Sequence, residues 1–159
     1  MSLRRRELVT GAAALAALGR AAPAAAKVSP DAGPLANLVG LEQEASLLYG
    51  TLDAPRVPAR EFRAQSREHA RGLGTALRNR GGRPPAPKAR VGRATPQQAL
   101  ALEERALAAY ARAIGEVRDR SLLPTLASAM ANHGQHVVVL RQALGRDPIP
   151  AAFPEEAVR

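Results

Sequence analysis

The sequence predicts an all-α chain folded as an antiparallel four-helix bundle with a long crossover between helices two and three. Three observations carry this expectation. Alanine and leucine dominate, and Phe62, Phe153, Tyr49 and Tyr110 are the only aromatic residues, so the core must be built from small residues and Leu, as in closely packed helices. Val and Ile are too sparse and too poorly alternated to build a sheet. Four stretches repeat apolar residues at three- and four-residue intervals, with Pro and Gly between them. A length of 159 residues suits one domain with a modest core.

The first 26 residues read as an address. Arg4, Arg5 and Arg6 form a basic start, Thr10–Leu18 is a short, weakly apolar run, and Pro23-Ala-Ala-Ala26 is a small-residue cleavage site. Arg5-Arg6-Glu7-Leu8-Val9 matches the twin-arginine pattern of two arginines, a variable residue and two apolar ones. The run is too short and alanine-rich to span a membrane stably. The expectation is export to the periplasm or outside the cell, with association with the envelope also open. Cleavage after Ala26 removes four Arg and one Glu, lowering the net charge of +9 by three.

Helix one starts at about Pro34 and carries Leu38, Glu42, Ala45, Tyr49 and Leu52 on one face. Asp53-Ala-Pro-Arg-Val-Pro58 breaks it, and Pro58 is placed to start helix two, about residues 58–80. Its inner stripe reads Phe62, Ser66, His69, Leu73 and Leu77, and Gly81-Gly82 stop it. The crossover that follows is rich in Pro and Gly. Thr95-Pro96-Gln97-Gln98 is a helix start with N-cap, N1 proline and capping-box glutamine. Helix three presents Ala99, Glu103, Ala106, Tyr110, Ala113 and Val117. Helix four presents Leu122, Leu126, Ala129, His133, His136, Leu140 and Leu144, and Gly145 and Pro148 end it. The tail is expected to lie along the bundle through Ile149 and Phe153. The divisions are thus 1-26 signal, 27-34 linker, 35-153 bundle and 154-159 tail.

The bundle reads as one helical hairpin used twice. Leu41-Glu42-x-x-Ala45-x-x-x-Tyr49 recurs as Leu102-Glu103-x-x-Ala106-x-x-x-Tyr110, and His69-x-x-x-Leu73-x-x-x-Leu77 recurs as His136-x-x-x-Leu140-x-x-x-Leu144. The duplication puts two glutamates on one pair of helices and two histidines on the other, where all four can converge on the bundle axis. A glutamate on such a stripe is costly to bury unless paired or metal-bound, and neither stripe carries Lys or Arg to pair with it. The histidines are the available partners, and His133 adds a third imidazole one turn from His136. The candidate metal ligands are Glu42, His69, Glu103, His133 and His136. The alternative is that the same groups are polar core residues satisfied by one another. Tyr49 and Tyr110 read as core fillers whose hydroxyls have a partner, and Glu44, Glu68 and Glu104 as residues off the inner stripes.

These residues resemble the ferritin-like superfamily, in particular exported bacterial ferritin-like domain proteins, over roughly residues 35–153. The resemblance implies one Glu from each of two helices and Glu-x-x-His from each of the other two. Glu42 and Glu103 match the single glutamates, and His69 and His136 match the histidines. Ser66 and His133 stand where the paired motifs carry Glu. Two carboxylates balance one divalent ion, where the usual four bridge two, so the expectation is a reduced site that binds a transition metal, with a redox role open. Imidazole and carboxylate donors suit iron, manganese, zinc or copper without choosing among them.

Other chemistries are excluded by what the chain lacks. With no cysteine there is no disulfide framework, thiolate nucleophile or zinc knuckle. No hydrolase triad, phosphate loop or dinucleotide fingerprint is present. The basic segment Arg78–Arg93 has no aromatic residue for base stacking, so no nucleic-acid partner is expected. It reads first as a solvated loop and second as a surface for an anionic envelope partner. A homo-oligomer is left open.

Overall fold

The computed structural model describes residues 28–87 and 92–149. The expected signal segment, Phe153 and the remainder of the tail lie outside them. The described chain is all-helical, with α1 at Ala32–Tyr49, α2 at Ala59–Arg78, α3 at Pro96–Glu116 and α4 at Leu123–Ala143; a single 3₁₀ turn, Arg120–Leu122, leads into α4. No described helix is long and apolar enough to cross a membrane.

The helix ends follow from local chemistry. At α3 the Thr95 hydroxyl accepts from the Gln98 backbone N–H at 3.2 Å, and the Gln98 side chain accepts from the Thr95 N–H at 2.9 Å. α2 and α4 finish alike. Gly81 takes φ 76° and Gly145 φ 68°, and the next residues, Gly82 and Arg146, return N–H bonds to Leu77 and Arg141. Gly82 must also lack a side chain, because a Cβ there would stand 2.1 Å from Leu77 Cδ1. α1 begins at Ala32, two residues before the expected Pro34.

α1 packs on α2, α3 on α4, and α1 on α3. Along the first pair, Ser29 donates its N–H to Arg80 O, Glu42 meets His69, and Gly50 lies beside Arg63, so the start of α1 is next to the end of α2. The connection after α2 folds back over this pair, with Pro85 against Gly40 and its carbonyl accepting from Gln43. Asp31 ties the entry of α1 to the turn before α4. Its carboxylate is buried and accepts the backbone N–H groups of Arg118 and Asp119 at 2.8 and 3.1 Å.

The apolar core is in two parts. One is centred on Leu35, Leu38, Leu77 and Leu126, the other on Tyr49, Phe62, Leu100 and Leu140. Glu42, His69, Glu103, His133 and His136 lie in sequence between the residues of these two clusters on their own helices. Burial of about 25 cal/mol per Å² in the two clusters stabilises the helix packing that brings these polar groups together. The tail departs from expectation: Ile149 is 76% exposed and does not lie along the helices. Beyond Gly145, Asp147 accepts the Ile149 N–H at 2.9 Å in an exposed turn.

Candidate metal centre

All five sequence-predicted ligands meet. Glu42, Glu103, His133 and His136 are fully buried, while the His69 side chain keeps 20% of its exposure. They form two donor groups, Glu42/His69/His133 and Glu103/His133/His136; within each, one donor atom per residue lies within 4.8 Å of the others. His133 belongs to both.

The periodicity of the helices explains why these side chains converge. Glu42 and Tyr49 on α1, and Glu103 and Tyr110 on α3, are spaced two turns apart on their buried faces. His133 and His136, one turn apart, share the buried face of α4. The two halves then repeat each other's geometry. His69 Nδ1 lies 3.1 Å from Glu42 Oε1, and His136 Nδ1 lies 3.2 Å from Glu103 Oε1. Tyr110 donates to Glu42 Oε1 at 2.5 Å, and Tyr49 donates to Glu103 Oε1. Each tyrosine therefore serves the carboxylate of the other half.

His133 breaks this repeat. Its Nδ1 lies 2.5 Å from Glu103 Oε2 and its Nε2 2.9 Å from Glu42 Oε1. A carboxylate can only accept, so with both ring nitrogens donating, His133 is an imidazolium held between two carboxylates. Burial alone would lower its pKa, but the hydrogen bonds to Glu103 and Glu42 outweigh burial and bring it up to about 9. Burial likewise opposes charge on Glu103, yet the hydrogen bonds from His133 and His136 bring its carboxyl down to about 2. Glu42 is lowered in the same way, by His133 and His69 against the cost of burial. Burial, reinforced by the neighbouring carboxylates, pushes both tyrosines up, so they remain protonated donors.

Either donor group could hold a metal ion. Two carboxylates carry the charge that balances one divalent cation, and the imidazole nitrogens supply the remaining donors, with His133 giving up a proton. Glu42 Oε2 is buried without a hydrogen-bond partner, a free carboxylate oxygen inside the cluster. The Ser66 hydroxyl is buried and unpartnered too, at the position that corresponds to His133 in the other half.

Two participants escaped the sequence reading. Gln65 places its side-chain Oε1 2.7 Å from His136 Nε2, and Phe62, read as plain core, stacks on the His136 ring with centroids 3.7 Å apart. The duplication held a signal for the first, because Gln65 and Asn132 are both amides four residues before the paired histidines. The off-stripe glutamates stay out of the cluster. Glu44 pairs with Arg105, Glu104 lies 3.8 Å from Arg141, and Glu68 is exposed.

No protein-family model matches the chain, and no curated protein compared with it gives a match.

Proposed function

We propose that this protein is an exported, ferritin-like, antiparallel four-helix-bundle protein that binds one divalent transition metal through Glu42, Glu103, His69, His133 and His136. The observation that supports this best is the convergence of two buried carboxylates and three imidazoles in two donor groups sharing His133. Export rests on the Arg5-Arg6-Glu7-Leu8-Val9 pattern and the small-residue site before Lys27. Iron, manganese, zinc and copper all suit the donor set, and a redox-active ion among them would supply one-electron chemistry. The chain's own part is to hold the carboxylates in place through the two tyrosine hydroxyls, to orient His136 through Gln65, and to keep water from the buried half with Phe62.

The test is metal analysis of the mature chain after separate reconstitution with each of the four ions. The expected result is one ion per chain, a raised melting temperature, and loss of the ion in the double variant Glu103→Ala, His136→Ala. Absence of stoichiometric metal, or its retention in that variant, overturns the proposal.

One observation favours a second reading, a metal-free bundle acting as an envelope binding or structural module. The His133 imidazolium already lies between the two carboxylates and supplies the positive charge they need. On this reading no ion changes the melting temperature.

A further inference from the structure

The two halves of the cluster differ in what covers each paired histidine. Over His136 stand Phe62, stacked on the ring, and Gln65, facing Nε2, and the side chain is 1% exposed. The corresponding positions for His69 are Ala129 and Asn132, by the same offset that relates His69 to His136. A methyl group replaces a phenyl ring, and an amide one methylene shorter replaces Gln65. The outcome is an opening. A cleft of about 650 Å³ lies there, lined by His69, Ala129, Asn132, Gln65, Ser128 and Glu68 among others. Asn132 lines it, and its Oδ1 is buried just behind the lining without a hydrogen-bond partner.

We propose that this cleft is the route by which ions and small ligands reach the cluster, so that the Glu42–His69 half exchanges and the Glu103–His136 half stays closed. The ligands it fits are small neutral molecules that pair a lone-pair donor, for the ion, with an N–H or O–H, for the Asn132 carbonyl. The ligand-accepting role rests on the metal-binding reading above; the route does not. His69 is placed to do both, with Nδ1 directed to Glu42 and part of its ring in the cleft. Ala129 is the residue that keeps the half open, and Phe62 the one that shuts the other.

Two measurements separate the parts. In the metal-free protein, diethyl pyrocarbonate is added and modification is followed site by site by mass spectrometry. His69 is expected to react at least about tenfold faster than His136, whose modification must await local opening. Ala129→Phe is expected to slow His69 by about tenfold, and Phe62→Ala to speed His136 by a similar factor. Far-UV circular dichroism checks that each variant is folded. Ala129→Leu takes the place of Ala129→Phe if the larger ring prevents folding, and Phe62→Ala reads the converse from the other half. Equal rates at His69 and His136, or a folded Ala129 variant with an unchanged His69 rate, overturn the route. In copper-loaded protein, imidazole is titrated while the visible band is followed. Binding is expected, and weakened by about tenfold in the Ala129 variant. A protein that takes up none of the four ions yet shows selective, Ala129-dependent modification of His69 overturns the metal reading and leaves the route standing. One that takes up copper but does not bind imidazole overturns the ligand-accepting role.

Discussion

The α1–α2 pair and the α3–α4 pair carry the same residues at the same spacings, and their Glu–His distances agree to 0.1 Å, 3.1 against 3.2 Å. They differ at three places that all bear on the cluster: Ser66 against His133, Phe62 against Ala129, and Gln65 against Asn132. The shared residues set the positions of the carboxylates and imidazoles. The differing ones decide which side holds the central charge and which side is open. A repeated scaffold thus fixes geometry, while substitutions in one copy set electrostatics and access.

The comparison can be broken most forcefully at His133. In the metal-free protein, His133→Ala leaves two buried carboxylates without the cation between them and is expected to cost about 3–5 kcal/mol, measured by urea unfolding at neutral pH. The same cation gives a pH signature. The two carboxylates hold the His133 imidazole up at about 9 against an ordinary value of 6.5, so its stabilisation is fully present below pH 6.5 and is lost as pH rises through about 9. That loss should amount to about 3 kcal/mol, and it should be absent from His133→Ala. The glutamates act at the other end of the scale. Glu103, brought from 4.5 to about 2, stabilises above pH 4.5 and ceases to as pH falls through about 2. Urea midpoints of the metal-free protein should therefore be highest between about pH 4.5 and 6.5.

The tyrosines sharpen the comparison by testing the equivalence of the halves. Tyr49→Phe and Tyr110→Phe each remove a donor from a buried carboxylate and should each cost about 1.5–3 kcal/mol. Costs that differ by more than the experimental error would show that the halves are equivalent in geometry but not in energy. The smallest effect belongs to Ser66→Ala. Its hydroxyl is buried with no partner, so its removal should be neutral or stabilising by up to about 1 kcal/mol. A marked loss of stability there would show that the hydroxyl has a partner after all.

Much of this was legible in the sequence because it is periodic. Glu42, Tyr49, Glu103, Tyr110, His133 and His136 were placed on inward faces by three- and four-residue spacing alone, and all are buried. The capping box at Thr95 and the glycine stops at Gly81 and Gly145 were local signals of the same kind. What could not be read depends on how helices pack against one another. Spacing gave each tyrosine a hydroxyl in need of a partner but not the crossing to the opposite carboxylate. Gln65 lies off the inner stripe and reaches His136 by the length of its side chain. Asp31 meets backbone 87 residues away, a contact with no trace in local pattern. Ile149 is a core residue by type, and nothing near it in sequence marks its exposure.

The crossed tyrosines carry an implication for how such a centre can arise. Because each carboxylate is completed by the phenol of the other half, one helix pair by itself holds an unfinished site, whereas two copies facing across a two-fold axis would finish each other. Such a dimer would be bound by symmetry to present the same residue at both members of every related position. It could carry two serines or two histidines at the Ser66 and His133 positions, two open faces or two covered ones, but never one of each. Joining both copies in a single polypeptide removes that constraint. A single imidazole between the two carboxylates and a single open cleft are features such a symmetric dimer cannot have and a tandem chain can.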